Sequence, residues 1–186
     1  VKRLGLFRHA KSDWDDLTLR DFDRGLNDRG RRGAALMGRH ILDQGVAWDL
    51  VLASPAERVR RTLEASGLPF PVHWDEHAYL AGSGGLIELL CAIEGDPQSV
   101  LLAGHNPGLQ DLIFALVAPA KDEEELFTAA AEKYPTASFA VLELAIEQWS
   151  GCAPGCGRLV HFARPRDLDP GLGPEPADRS AAELGR

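Results

Sequence analysis

Short apolar runs that read as strands alternate along this chain with stretches whose apolar positions recur at helical spacing. Strand-like runs fall at Arg3–Arg8, Leu50–Ser54, Val100–Gly104, Phe139–Ala145 and Leu159–Phe162, with Val72–Trp74 as a short additional one. Leu86, Leu89, Leu90 and Ile93 repeat at i, i+3, i+4, i+7, and Leu109, Leu112, Ile113, Leu116 and Val117 extend the same pattern. Two more helices are expected, over Arg31–Leu42 with Ala34, Met37 and Ile41 inward, and over Ala56–Ala65. Ser54-Pro55 and Asn106-Pro107 each set an N-cap side chain before a proline at the first helical position. The alternation predicts an α/β fold of three layers, a mostly parallel central sheet with helices on both faces. Ligands bind such sheets at the carboxyl edge of the strands.

Composition narrows the picture. At 186 residues, 45% hydrophobic and 26% charged, the chain is long enough for one proper core. Lys121–Glu125 reads as a solvated acidic helix start or loop. From Arg164 onward Pro, Gly, Asp and Ala dominate, so the chain divides into a domain over residues 1–166 and a loosely held tail over residues 167–186. The net charge of −8 argues against a nucleic-acid binder. No apolar run approaches the roughly 20 residues of a membrane span, and no secretory leader pattern opens the chain. Cys91, Cys152 and Cys156 are odd in number without CxxC spacing, which fits a reducing, cytoplasmic setting. A zinc site would need further ligands that do not lie nearby.

The chemistry concentrates at strand ends. The first strand delivers Arg8 and His9, the third delivers His105, and the helix after Ser54-Pro55 carries Arg58 one turn in. Cationic donors near a helix N-terminus suit phosphate recognition. A neutral imidazole attacks phosphorus without a separate base, and arginine forks with a protonated second histidine neutralise the equatorial oxygens. Phosphoryl transfer asks mainly for this positioning and charge stabilisation. His40, His73, His77 and His161 are expected to be structural or solvent-facing, and Trp14 to wall the cleft or simply pack.

Four segments carry a resemblance. They are Leu6-Phe7-Arg8-His9-Ala10-Lys11-Ser12-Asp13-Trp14, Asp23-Arg24-Gly25-Leu26-Asn27-Asp28-Arg29-Gly30, Ser54-Pro55-Ala56-Glu57-Arg58 with Arg61-Thr62, and Gly104-His105-Asn106-Pro107-Gly108. In that order they resemble the histidine phosphatase superfamily, with its phosphoglycerate-mutase-like fold, and more narrowly the SixA-type phosphohistidine phosphatases. The resemblance covers roughly Lys2–Phe162. It implies His9 as nucleophile, with Arg8, Arg58 and His105 around the phosphate. Arg24 matches an arginine of the second motif; it either reaches the same oxygens or pairs with Asp21 or Asp23. The family usually has proline where this chain has Gly25, which implies a more flexible loop here. Glu76 sits where larger superfamily members carry an acidic donor and is the candidate proton donor, although SixA-type members do not use that position clearly. No metal and no cofactor are implied.

The expected activity is a metal-independent phosphatase acting through a covalent phosphohistidine, on phosphohistidine of a partner protein. The stretch between Arg58 and His105 has no long insertion to roof the site, which suits a protein-borne phosphoryl group. The alternatives are a small-molecule phosphomonoesterase, and a non-catalytic module that only reads phosphate.

Overall fold

The computed structural model describes residues 1–118 and 124–173. Six strands run β1 (Lys2–Arg8), β2 (Leu50–Ala53), β3 (Val72–Trp74), β4 (Ser99–Gly104), β5 (Phe139–Leu144) and β6 (Gly157–Ala163). The helices are α1 (Asp28–Asp43), α2 (Glu57–Ser66), α3 (Ser83–Cys91), α4 (Gly108–Leu116), α5 (Glu124–Glu132) and the short α6 (Pro165–Leu168). The sheet order is β3-β2-β4-β1-β5-β6. The ladders from β3 through β1 are parallel, and β5 runs antiparallel to both neighbours. This is the three-layer, mostly parallel α/β architecture that the alternation of elements predicts.

Period-2 alternation on the central strands builds two cores. Leu4, Leu6, Val100 and Leu102 face the layer of α3, α4 and α5. Phe7, Leu101 and Ala103 face the layer of α1 and α2, with Met37, Ile41, Val59 and Trp48. Trp48 is buried because Gly5 leaves room: a Cβ there would lie 2.8 Å from its ring.

Helix starts depart from expectation in three places. α1 begins at Asp28 rather than Arg31, because Asn27 accepts a hydrogen bond from the Gly30 amide at 2.7 Å and caps the extra turn. α2 starts after Ala56, and Ser54 caps nothing: its Oγ faces a histidine described below. In α4 the cap position is Pro107, while Asn106 Oδ1 accepts from the Gln110 amide at 3.2 Å. Most of the acidic stretch Lys121–Glu125 and residues 174–186 of the expected tail lie outside the described residues. The tail's first residues form α6 and a 3₁₀ turn at Pro170–Leu172, held to α1 by the Arg29 guanidinium on the Gly173 carbonyl.

Two glycines of the second motif play opposite parts. Gly30 sits against the backbone after His9, where a Cβ would come within 2.2 Å of the Lys11 carbonyl oxygen. Gly25 has open space around it and no left-handed backbone. Gly30→Ala should therefore cost about 1–3 kcal/mol of stability through overpacking. Gly25→Ala should gain about 0.4–1 kcal/mol by restricting the unfolded chain. Urea unfolding of both variants checks this, and a Gly30→Ala protein as stable as the parent would refute the close approach.

Candidate active site

The site grows from the pairing of β1 with β4. Arg8 lies opposite Gly104, and the His9 amide donates to the Gly104 carbonyl at 3.0 Å, so the residues after both strand ends emerge side by side. The rings of His9 and His105 consequently stand 5.4 Å apart at 53°. Both are buried.

Each imidazole is fixed by one hydrogen bond. His9 Nδ1 lies 2.7 Å from the Ala10 carbonyl oxygen, which only accepts, so Nδ1 carries the proton and Nε2 keeps its lone pair. His105 Nε2 lies 2.8 Å from Ser54 Oγ. That oxygen also accepts from the Ala56 amide at 3.3 Å. The other ring nitrogen, Nδ1, is buried with no hydrogen-bond partner among the described residues. The His9 ring thus presents a lone pair at Nε2, with the His105 ring beside it.

Burial, above all, pushes the His9 pKa down to about 4, with the nearby Arg8 and Arg58 charges adding to it. Burial, then the Arg58 charge and His9, push His105 to about 3. The protonated second histidine expected from the sequence is therefore corrected: near neutral pH His105 is neutral, because its surroundings are dry and already cationic.

The guanidiniums occupy three sides. Arg8 donates through Nη1 to the Tyr134 carbonyl at 2.9 Å and leaves Nε buried without a partner. The same carbonyl accepts from Asn106 Nδ2 at 3.0 Å, tying β1 to the loop after β4. Arg58 is buried on the first turn of α2; its carbonyl accepts from Thr62 Oγ1, which in turn accepts from the Ala10 amide at 2.8 Å. Arg24 is buried between Trp14, whose ring it covers at 3.6 Å, and Asp21, at 3.6 Å. Trp14 itself is 62% exposed. Arg61, by contrast, pairs on the surface with Glu57 and Glu64.

Four candidates from three sequence-distant segments, Arg8 and His9, Arg58, and His105, thus meet at one sheet edge, with Arg24 joined to Arg58 through Asp21. Glu76 is not with them in the same sense. It lies exposed on a 3₁₀ turn, Glu76–Ala78, and its side chain makes no hydrogen bond or ion pair among the described residues. The carboxylate that does reach the pocket is Asp21, which accepts from Arg58 Nη2 at 3.0 Å and from the Tyr79 hydroxyl at 2.5 Å. Tyr79 sets its ring edge-on to His105 at 5.5 Å. Sequence reasoning weighed Asp21 only as a partner of Arg24, and read Ser54 as a helix cap. Tyr79 carried no signal at all.

Other clusters stand apart. His40 and His161 share a hydrogen bond of 2.8 Å between their Nε2 atoms, joining α1 to β6. A separate cavity of about 210 Å³ beyond Ala10 is lined by Lys11, Arg29, Lys133 and Arg166 among others. Among the described residues no group of three or more His, Cys, Asp or Glu is arranged to hold a metal ion.

Comparison with known proteins identifies a family. Residues 4–81 match the model of the histidine phosphatase superfamily, branch 1. An uncharacterized protein of Mycobacterium tuberculosis is 36% identical over 159 residues, 86% of this chain and 99% of the relative. A solved structure of a SixA protein of Agrobacterium tumefaciens, named for phosphohistidine phosphatase activity, is 32% identical. It superposes with a TM-score of 0.71 over 87% of this chain and 97% of its own. The protein histidine phosphatase SixA in complex with tungstate shares the fold at 22% identity, with a TM-score of 0.71 over 90% and 99%. The chain belongs to the histidine phosphatase superfamily. Within it the chain is of the SixA type, a phosphatase whose substrate carries a phosphoryl group.

The depressed imidazoles carry a consequence for stability. Unfolded histidines take up protons near pH 6.5, the folded ones only near 4 and 3, so the unfolded state binds more protons in between. Stability should be intact above pH 6.5 and fall as pH drops through that window, by on the order of 2 kcal/mol per imidazole at pH 5. Denaturant midpoints at pH 7 and pH 5 test this; His105→Gln should flatten the slope. An unchanged slope in that variant would remove His105 from the account.

Proposed function

We propose that the protein hydrolyses phosphohistidine on a partner protein through a covalent phosphohistidine at His9, without a metal ion. The observation that carries this reading is the His9 Nδ1–Ala10 carbonyl hydrogen bond in a ring kept neutral by burial. It leaves Nε2 unprotonated and oriented at the pH where the enzyme would work.

In the first step His9 Nε2 forms a bond to phosphorus while the bond from phosphorus to the substrate's leaving nitrogen breaks. The electron pair goes to that nitrogen, which takes up a proton from solvent water. Arg8 and Arg58 supply charge to the equatorial oxygens, and Arg24 lies behind Arg58 through Asp21. An arriving dianion offsets the cationic surroundings and raises the proton affinity of His105, so that the ring adds an N–H donor to the phosphoryl oxygens. In the second step water attacks phosphorus, the P–Nε2 bond breaks, and His9 regains its lone pair. Guanidiniums already provide the charge that a metal ion provides elsewhere, so this route needs none.

A protein-borne substrate is supported by the rim. Trp14, Leu17 and Leu19, on the segment between the nucleophile and Arg24, are exposed, as is Leu80 beside Tyr79. Apolar side chains turned to solvent beside a phosphate pocket suit a protein surface better than a small sugar ester. An imidazole leaving group also departs more readily than an alkoxide, which fits a site whose Glu76 stands exposed. The three cysteines, all free thiols, suit the reducing setting of a cytoplasmic protein. Residues 1–166 are the proposed catalytic unit.

Labelled phosphohistidine protein should leave an acid-labile, alkali-stable label on the enzyme. His9→Ala should abolish both label and turnover, and turnover retained in His9→Ala would contradict the covalent route. Rates on a phosphohistidine protein and a panel of small phosphate esters, measured side by side without added metal, separate the proposed substrate from the alternative. A protein that binds phosphate without turning any of them over is the non-catalytic module.

Ser54 gives a finer test of the His105 assignment. Ser54→Ala removes the hydroxyl that holds His105 Nε2, and should cost about 1 kcal/mol of stability. It should lower kcat about tenfold or more while leaving KM nearly unchanged. A Ser54→Thr enzyme, which restores the hydroxyl, should recover the rate; if it stays as slow as the alanine variant, the hydroxyl is not the cause.

A further inference from the structure

We infer that Asp21 is the internal counter-anion of the phosphate pocket, holding Arg58 until a phosphoryl group takes it and reclaiming it to expel the phosphate product. The inference rests on the phosphatase reading above. Arg58 commits both terminal nitrogens to Asp21, Nη1 to its carbonyl oxygen at 2.8 Å and Nη2 to Oδ2 at 3.0 Å. Arg24 Nη2 approaches Oδ1 at 3.6 Å, and Tyr79 donates its hydroxyl to Oδ2. A carboxylate on two guanidiniums of a phosphate site stands where a phosphoryl oxygen would be drawn by the same charges.

The two partners of this ion pair are held unequally. Arg58 is 6% exposed along its side chain and is locked into α2, whereas the Asp21 side chain is 45% exposed. Asp21 also belongs to a 3₁₀ turn of only three residues, Asp21–Asp23, with no buried residue and no side-chain cap. If one member must yield, it is Asp21.

Charge counting gives the same direction. Arg8, Arg24 and Arg58 bring three positive charges, the two imidazoles are neutral, and Asp21 is the one carboxylate hydrogen-bonded to these guanidiniums among the described residues. Its field also reaches both His9 and His105. The balance of about two positive charges matches a phosphoryl dianion, and a third would hold the inorganic phosphate product more tightly than turnover wants. Asp21 is thus an affinity-determining residue, acting through Arg58 and by direct repulsion.

The test is titration calorimetry with sodium tungstate and with inorganic phosphate on the full chain, beside steady-state turnover. Asp21→Asn should bind both anions about tenfold more tightly, the equivalent of one pK unit of interaction. Its inhibition constant for phosphate should fall by the same factor, and kcat should fall as release slows. Asp21→Glu should stay near the parent. Tyr79→Phe, which keeps the carboxylate but frees it from its neutral partner, should tighten anion binding by a smaller factor, and it serves as the probe if Asp21→Asn does not fold. Anion binding that is unchanged or weakened in these variants, in the manner of Arg58→Ala, would overturn the inference and leave Asp21 as a strut for Arg58. Failure of the unmodified protein to bind either anion would overturn the phosphatase reading together with it.

Discussion

The pairing of β1 with β4 is the constraint on which everything else depends. These two parallel strands lie at the centre of the sheet, buried on both faces, and their register sets Arg8 opposite Gly104. Slipping that register by one residue would exchange the core-facing and opposite-facing side chains of a whole strand. Leu4 and Leu6 on one face and Phe7 on the other therefore lock the two histidines into adjacency as firmly as they lock the core. The site borrows its precision from packing that has no chemical role.

From that pair outward, backbone carbonyls do much of the positioning. The Ala10 carbonyl selects the His9 tautomer, and the Tyr134 carbonyl gathers Arg8 and Asn106. Tyr134 is itself pinned, its hydroxyl donating to the Leu6 carbonyl at 2.7 Å and its ring stacked on Phe162. Burial drives its pKa upward, so the hydroxyl stays a donor. The segment before β5 is thereby fastened to the strand that carries the nucleophile.

How much of this was legible in the sequence follows from the range of each interaction. The strands, the helix faces of α3 and α4, and the histidines at strand ends are local patterns of period and punctuation, and the structure contains them. The sequence does not mark the start of α1 because Gly30 weakens helical propensity in the first turn, while the Asn27 cap that compensates is a single contact. α5 lies beside a stretch outside the described residues, and Leu126 and Phe127 are its only large apolar residues. Ser54 illustrates the deeper limit: its spacing before a proline fits a cap, but its hydroxyl answers to His105, 51 residues away. Asp21 and Tyr79 are 58 residues apart and meet only because β2 and α2 bring the turn after β3 back over the motif. No local rule assigns such a pair.

The electrostatic design explains how an acidic chain keeps a cationic pocket. Buried arginines need hydrogen bonds, and a carboxylate is the usual partner for each. Here Arg8 is answered by the Tyr134 carbonyl, and half of Arg58's bonding by the Asp21 carbonyl. Neutral oxygens satisfy the N–H groups without cancelling the charge, so the positive field survives inside a dry pocket although the chain as a whole carries a net −8. Burial, with the same field adding to it, holds both imidazoles unprotonated. Those are opposite demands on one set of residues, a cation for the phosphoryl oxygens and a neutral base for the phosphorus, and keeping guanidiniums beside desolvated imidazoles meets both.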